Sequence, residues 1–308
     1  MDEKVMQFAN FNITFGQGNA PMLEYFEDII FPAFTGTYIR GKEEDVTKYS
    51  FDGVTVKQID GEYVMTGNFV KDTEYNVITT VQQGELVSSP ARVPTAPYSR
   101  FIIFLKNHRM VLVRNETASP DIRSFQKTVS EILMKHIRKE NRDRDRDQKL
   151  PFAVVHIVDI PRAESIEQAL KCVKKVNWLK FRFFPLNNDL DTLPLAKAIR
   201  QGMQIAGSRT GNIKFNSPGN KKGIQDVIVA TGGLAEASIE VTDADGEVRR
   251  LKEGTFSSST KVEYEGNVSF HGDGYLAVQA KKNSAMNTVS DDNAKLYERV
   301  LHILKRLA

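Results

Sequence analysis

The first 90 residues alternate between hydrophobic and polar positions with the period of two that is typical of β-strands. The alternating segments are residues 5–15, 53–59, 62–69 and 75–81. The dipeptide Asp60-Gly61 is a hairpin turn signal between two of them. A helical pattern interrupts the strands at residues 22–30, and Pro32 is expected to end it. The N-terminal part is therefore predicted to be β-rich.

Two unbroken apolar runs, residues 101–105 and 110–113, predict a buried hairpin in the middle of a sheet. The proline-containing segment 89–97 before them is expected to be a stiff, extended connection. A long helix is predicted next, with Ser119 as its N-cap and Pro120 at its first helical position. Its hydrophobic stripe at helical spacing is Ile122, Phe125, Val129, Ile132 and Leu133.

The highly charged segment 135–149 has no apolar face beyond Ile137. Within it, residues 142–147 alternate arginine with aspartate, so the charges of this stretch nearly cancel. A solvated helix end or a linker is favoured over a nucleic-acid-binding arm. We therefore expect a domain boundary here. The prediction is a β-rich domain over residues 1–149, with hairpins and a long closing helix, and an α/β domain over residues 150–308.

Strands and helices alternate between residues 152 and 231, which is typical of a layered α/β or α+β domain. A hairpin is predicted at residues 237–251 around the turn Asp245-Gly246, with further strands near residues 260–264 and 275–279. The final helix has the stripe Leu296, Val300, Ile303, Leu304 and Leu307. The predicted fold class is α+β, with a β-rich N-terminal domain followed by a layered α/β domain with a C-terminal helix.

Composition narrows the functional classes only slightly. The net charge of the 308-residue chain is +3, from 42 lysines and arginines against 39 acids, so any affinity for nucleic acid must come from clustered cations. The single cysteine, Cys172, excludes an intrachain disulfide and favours the cytoplasm. The charged start of the chain and the absence of a run of roughly 18 apolar residues argue against a signal peptide and against direct membrane insertion.

The segment 216–223 joins a short strand to a helix and predicts a phosphate-binding helix start. Ser217 fits the N-cap and Pro218 the first helical position, so free backbone N–H groups, the positive helix end and lysines would converge. The candidate phosphate contacts are Arg209, Lys214, Ser217, Asn220, Lys221 and Lys222. The alternative is a solvated helix start with incidental lysines. The glycine spacing of a Walker loop is absent.

A second candidate lies in the strand predicted at residues 178–184. Alternation places Lys180 and Arg182 on one face together with Trp178 and Phe184. Cations interleaved with aromatic rings resemble the stacking platforms that bind single-stranded nucleic acid. Core packing explains the rings equally well.

The sequence offers no recognisable catalytic centre. Its five histidines, His108, His136, His156, His271 and His302, lie in five separate predicted elements, without the spacing of metal ligands. The nearest candidates for a metal-dependent nuclease are Glu263, Glu265 and Asp273 with Lys281, and they match no nuclease motif. We therefore predict no catalytic residues, no metal and no cofactor, and an enzyme is the less favoured class.

The apolar hairpin at residues 101–113, the helix after Ser119-Pro120, the α/β segment and the hairpin at residues 238–248 occur in an order that resembles the RexA-like exclusion proteins of phage lambda. The same order is similar to uncharacterised proteins found near prokaryotic antiviral systems. The likeness covers residues 95–255. It implies a cytoplasmic, homodimeric, DNA-binding protein of antiviral defence by abortive infection, acting with a membrane-protein partner. It brings no catalytic residues.

The functional hypothesis from the sequence is a non-catalytic nucleic-acid-binding component of a prokaryotic or phage defence system, which contacts phosphates through the basic helix start. One alternative is a metal-dependent nuclease effector. Another is a protein-interaction module that recognises a phage protein.

Overall fold

The structure, a computed structural model, describes residues 2–190, 193–264 and 272–308. It confirms the α+β class: a curled antiparallel sheet contains the N-terminal strands, and a four-stranded sheet with helices follows. The last helix packs against the larger sheet.

The strands are β1 (Asp2–Phe15), β2 (Ala20–Pro21), β3 (Lys48–Ile59), β4 (Glu62–Gln82), β5 (Glu85–Thr95), β6 (Tyr98–Phe104), β7 (Arg109–Arg114), β8 (Ala153–Asp159), β9 (Val173–Phe183), β10 (Gly211–Asn216), β11 (Glu236–Asp243), β12 (Val248–Lys252) and β13 (Ser259–Tyr264). The α-helices are α1 (Phe31–Thr35), α2 (Ile122–Glu140), α3 (Ala163–Leu170), α4 (Pro194–Ile205), α5 (Lys221–Ala230), α6 (Glu253–Phe256), α7 (Asp273–Lys281) and α8 (Asp291–Leu307). Short 3₁₀ turns lie at Met22–Tyr25, Arg146–Gln148 and Ser284–Met286, and a π turn lies at Phe26–Ile30.

Strand β1 organises the larger sheet because other strands pair with both of its edges. Strand β7 pairs with residues 5–10 along one edge, while β13 and β8 share the other edge over residues 2–7 and 9–15. Both β8 and β13 follow residue 150 in the chain. The larger sheet thus contains strands from both halves of the chain, and the division into residues 1–149 and 150–308 stays a prediction.

The two faces of β1 bury two separate hydrophobic cores, as the period of two along a strand requires. Phe11 and Ile13 belong to a large core with the stripe of α2 and with Leu304 of α8. Met6 and Phe8 face the other way and pack in a smaller core with α7. The predicted stripe of α2 is entirely buried, which confirms that part of the prediction.

Some predicted boundaries are wrong. Helix α2 is capped by Asp121, whose carboxylate accepts a hydrogen bond from the Ser124 N–H at 2.8 Å, rather than by Ser119. The helical stretch that begins at Met22 continues past Pro32 to Thr35, because a proline in the first turn of α1 needs no N–H partner.

Two predicted segments have a different structure. The extended connection at residues 89–97 is largely strand β5, which pairs with β4 and tolerates its prolines because it lies at the edge of the sheet. The strand predicted at residues 275–279 lies within α7, where helical spacing buries Leu276, Ala277 and Ala280 together.

The smaller sheet has the strand order β10-β9-β11-β12, and all of its neighbouring strands are antiparallel. One face is covered by helices α3, α4 and α5: Leu179 and Phe181 of β9 pack in one core with Ile166, Ile224 and Ile228. The predicted hairpin around Asp245-Gly246 is confirmed.

A buried polar seam attaches the loop after β9 to the larger sheet. The Asn12 side chain donates to the Pro185 carbonyl at 2.9 Å and accepts from the Asn187 N–H at 2.7 Å. The Asn187 side chain accepts from the Met22 N–H at 2.7 Å. Both asparagines are completely buried. Buried polar groups are costly unless they are hydrogen-bonded, so this seam fixes one relative placement of the two sheets.

A buried ion pair attaches α7 to the larger sheet. Two nitrogens of Arg100 donate to the two carboxylate oxygens of Asp273 at 2.9 and 2.7 Å, and Lys57 Nζ donates to the same carboxylate at 3.0 Å. Burial alone would raise the pKa of the Asp273 carboxyl, but the hydrogen bonds from Arg100 and Lys57 outweigh burial and hold that pKa below its ordinary value. The pair is therefore ionised at neutral pH.

Replacing Asp273 with asparagine is expected to lower the free energy of unfolding by about 3–5 kcal/mol, because the buried guanidinium of Arg100 would lose the negative carboxylate to which two of its nitrogens donate. Urea unfolding monitored by circular dichroism measures the change. The matched control is Asp60→Asn, because Asp60 pairs with Lys281 at 3.4 Å but is 69% exposed. It should cost no more than about 1 kcal/mol. Equal small losses in both variants would contradict the structural role assigned to the buried pair.

Candidate nucleic-acid interface

The face of the smaller sheet that the helices leave uncovered carries lysines on three of its four strands. Lys180 of β9 lies opposite Lys214 of β10. On its other side Lys180 lies opposite Ser238 of β11, which in turn lies opposite Lys252 of β12. We call Lys180, Lys214 and Lys252 the lysine row. Like charges directly opposite each other in a sheet are destabilising, so the row carries a cost in the free protein.

The lysine row is not neutralised by the protein. Among the described residues, no carboxylate forms an ion pair with any of its three ammonium groups. The neighbouring positions on the same face are different: Arg182 pairs with Glu236 at 3.1 Å, and Arg250 pairs with Glu240 at 3.2 Å. The row is thus a stripe of positive charge between two ion pairs.

Trp178 lies on the same face, two positions from Lys180 along β9. Its half-buried ring has the Lys214 ammonium at 5.4 Å and the Arg250 guanidinium at 5.4 Å from its centroid. These distances are within the range of cation–π attraction. A ring beside a line of cations is the arrangement with which sheets bind the bases and phosphates of a single strand.

The structure separates the two predicted patches. It brings Lys180, Arg182 and Lys214 together on the uncovered face. Arg209 lies apart from the row, with its guanidinium 4.8 Å from the ring of Phe152.

The predicted helix start at residues 216–223 differs from the prediction in its cap. Helix α5 begins at Lys221 with Asn220 as N-cap, whose side chain accepts from the Gly223 N–H at 3.0 Å. Ser217 is therefore not the cap. It follows β10 with a φ of 47°, in the left-handed region. Sequence alone could not choose between two cap-forming residues three positions apart.

The lysines of this helix start bond to groups of the protein itself. Lys221 Nζ donates to the carbonyl of Leu170 at 3.0 Å, at the end of α3, and to that of Val173 at 2.6 Å, at the start of β9. Lys222 Nζ pairs with Asp226 at 3.0 Å within the helix. The uncovered sheet face therefore has the freer cations.

Sequence reasoning missed Lys252 and Arg250. The turn Asp245-Gly246 is the signal for this hairpin, but a two-residue turn there would place Lys252 opposite Ile239. The loop instead has three residues, 244–246, so Thr242 pairs with Val248 and Lys252 lies opposite Ser238. The pairing of β9 with β10 and β11 has no such local signal.

One end of the lysine row opens into a cleft of about 720 Å³ between the smaller sheet, the N-terminal end of α2 and strand β8. Its cationic lining residues are Arg123, Lys127, Lys180, Arg182 and Lys252. Two lysines of the row are therefore also lining residues of the cleft. A strand lying on the row would meet further cations there.

The cleft also contains carboxyl groups with shifted pKa values. Burial, with repulsion from Asp121, raises the pKa of Asp159 to about 7. Burial, with repulsion from Glu236 and Asp159, raises the pKa of Glu253 to about 8. Burial would also raise the pKa of Glu236, but hydrogen bonds from His156 and Arg182 outweigh it and lower that pKa. Near neutral pH two of the acids are thus partly or mostly protonated, which leaves the cations of the cleft in excess.

The candidate nuclease residues do not converge. Asp273 is held by Arg100, Lys281 pairs with Glu62 at 3.1 Å, and Glu263 lies on β13 at the edge of the larger sheet. Glu265 lies outside the described residues. Within the described part of the chain, no group of three histidine, cysteine or acidic side chains is arranged to hold a metal ion.

The described histidines also lie apart. His156 stacks on Phe184 with ring centroids 4.1 Å apart and lies 3.4 Å from Glu236. His108 is fully buried, and burial together with Arg109 lowers its pKa to about 3, so its ring is neutral. His271 lies outside the described residues.

Comparison with known proteins gives no relative. No family model matches the chain, and searches of curated proteins and of solved structures find no match. The resemblance to RexA-like exclusion proteins therefore stays a prediction. None of the helices in the described residues is long and apolar enough to cross a membrane.

Replacing Asp159 with asparagine is expected to stabilise the protein at pH 8.5 by roughly 4 kcal/mol, because the pKa is raised by about three units, and to change little at pH 4. A carboxyl whose pKa is raised on folding contributes stability that is fully present below its unfolded pKa and is lost as the pH rises through the folded value of about 7. Asparagine removes that loss because it does not ionise. Thermal unfolding across this pH range tests the prediction.

The control for this experiment is Asp143→Asn, at an exposed position. Its stability relative to the wild type should not vary with pH. If Asp159→Asn behaved in the same way, Asp159 would have an ordinary pKa, and the cleft would be more negative than described above.

Proposed function

We propose that this chain is a non-catalytic nucleic-acid-binding protein that holds a single strand across the lysine row. The observation that carries the proposal is that Lys180, Lys214 and Lys252 lie in one row next to Trp178, with Ser238 between Lys180 and Lys252, and that none of the three has a carboxylate partner among the described residues. Lys180 and Lys214 face each other directly, and Lys252 lies two strands from Lys180, so the positive charges of the row repel one another in the free protein. A row of phosphates would relieve this repulsion and release condensed counterions.

The dimensions of the row suit a few nucleotides. Neighbouring strands lie about 4.8 Å apart, so the three spacings from β10 to β12 cover about 14 Å. Successive phosphates of a stacked strand rise about 3.4 Å each, so about four of them fit this length. Trp178 beside the row offers one ring for stacking on a base. The cationic cleft, which Lys180 and Lys252 line, would extend the path of the bound strand beyond the lysine row.

We further propose, on the resemblance alone, that this binding serves antiviral defence of the abortive-infection type in the cytoplasm, with DNA as the nucleic acid and with a membrane-protein partner. The helix start at Asn220, Lys221 and Lys222 remains a second candidate for phosphate contact. A protein-interaction module without nucleic acid contact is the alternative, and it predicts no binding in the experiment below.

Replacing the lysine row by alanine is expected to weaken binding of a labelled single-stranded oligonucleotide at least about tenfold at low salt. The slope of log affinity against log salt should become shallower by about 2, because each neutralised phosphate of a single strand contributes about 0.7. Fluorescence polarisation with single-stranded DNA, RNA of the same sequence and duplex DNA measures both quantities and ranks the three ligands.

The matched control removes three exposed lysines elsewhere, Lys42, Lys139 and Lys305, so that the net charge changes equally. It should keep near wild-type affinity. Equal weakening by both triple variants would mean that net charge, not the row, governs binding. Stronger weakening by Lys222→Ala alone would move the site to the start of α5.

A further inference from the structure

Residues 73–95 form a two-stranded ribbon, which we call the arm. Pairing of β3 with β4 ends at Lys48 opposite Asp72, and pairing of β6 with β4 ends at Tyr98 opposite Val70. Among the described residues, β4 pairs beyond these points only with β5. The arm therefore extends away from the body of the larger sheet.

The arm exposes large apolar side chains along its whole length. The exposed fractions are 67% for Tyr75, 71% for Ile78, 71% for Val81, 74% for Leu86 and 48% for Val93. An isolated two-stranded hairpin is at best marginally stable in water. Contiguous exposed apolar surface on a folded protein marks an interaction site. The arm is therefore incomplete without a partner.

The two edges of the arm differ. Strand β5 lies on the same edge of β4 as β6, because β5 and β6 pair with β4 in the same register. Val70 lies opposite Tyr98 of β6, and Thr73 lies opposite Thr95 of β5. The outer edge of β5 contains Pro90 and Pro94, which block strand addition. The edge of β4 that β3 leaves free after Asp72 has no such protection.

The free edge of β4 has the composition of a pairing strand. Residues 75–81 read YNVITTV, with no charge, no proline and no glycine. Segments of this kind pair readily with another strand when their edge is exposed. Their backbone N–H and C=O groups are best satisfied by another β-strand, because each needs a hydrogen-bond partner.

We propose that the free edge of β4, over residues 75–81, pairs antiparallel with the same edge of a second copy of this chain. A two-fold axis would then join two arms into a four-stranded sheet with the order β5-β4-β4-β5, in which identical surfaces meet. An uncharged strand can face itself in this way without repulsion between like charges.

The charges of the arm disfavour other occupants. Arg92 is the one basic residue between positions 73 and 95, and it pairs with Glu74 on the arm itself at 3.5 Å. The arm therefore offers phosphates no spare cation, which argues against nucleic acid and against an anionic lipid surface. Insertion of the arm into a membrane would require its apolar side chains to cluster at the turn. They are instead distributed from the base of the arm to its tip. This inference does not depend on the proposed nucleic-acid binding.

The test compares two double variants of the full-length chain by sedimentation equilibrium over a wide range of protein concentration. The wild type should be a dimer that dissociates on dilution. Ile78→Lys with Thr79→Lys places charges on the free edge and should raise the dissociation constant at least about tenfold. Leu86→Lys with Ser88→Lys places the same charge on the β5 side of the same arm and should change it much less.

Cross-linking locates the two-fold axis independently. In a Cys172→Ser background, a cysteine is placed in turn at Asn76, Ile78 and Thr80, and at Ser88 as the control. Oxidation should give a disulfide-linked dimer from at least one of the three β4 positions and none from Ser88. Circular dichroism confirms that each variant is folded.

Three outcomes overturn the proposal. A wild type that is monomeric at every concentration has no self-pairing edge. Equal dissociation of the two double variants means that the faces, not the β4 edge, hold the copies together. A monomer that binds neutral lipid vesicles, and loses this binding with Ile78→Lys and Thr79→Lys, identifies a membrane as the occupant.

Discussion

Strand β1 is the constraint on which the rest of the structure depends. It is hydrogen-bonded along both edges, to β7 on one side and to β8 and β13 on the other, so strands from distant parts of the chain meet on it. Its two faces bury two different cores. On the face of β1 that carries Met6 and Phe8, the position of Asn12 is polar instead of apolar. The Asn12 side chain forms hydrogen bonds with the loop that follows β9. A single strand thus sets both the larger sheet and the attachment of the smaller one.

This attachment creates the candidate interface. The helices cover only one face of the smaller sheet, so the other face is left with Trp178 and the lysine row. The seam at Asn12 holds that sheet close to α2 and β8, and the cleft forms where the two meet. Inside the cleft, burial raises the pKa of Asp159 and of Glu253. Such unfavourable burial of ionisable groups, like the facing pair Lys180 and Lys214, is typical of surfaces under functional constraint.

Local patterns predicted most of the fold. The stripe of α2, the hairpins at Asp60-Gly61 and Asp245-Gly246 and the α+β class follow from periodicity and turn chemistry within short windows. The N-cap of α5 was misplaced because Ser217 and Asn220 are equally good caps by residue type. The strand at β5 was missed because its prolines suit an edge strand that only tertiary pairing reveals. The lysine row combines three strands far apart in the sequence. Its pairing between β9 and β10 is a long-range register that no local pattern encodes.

The chain contains a direct reporter of the proposed contact between a nucleic acid strand and the lysine row. Trp178 is its single tryptophan, so intrinsic fluorescence observes this one position. In a titration of the protein with an unlabelled single-stranded oligonucleotide at low salt, we predict saturable quenching of the tryptophan emission that added salt reverses. Unchanged emission while the same oligonucleotide binds by sedimentation would place the contact elsewhere, and absence of binding by both methods would contradict the proposed function.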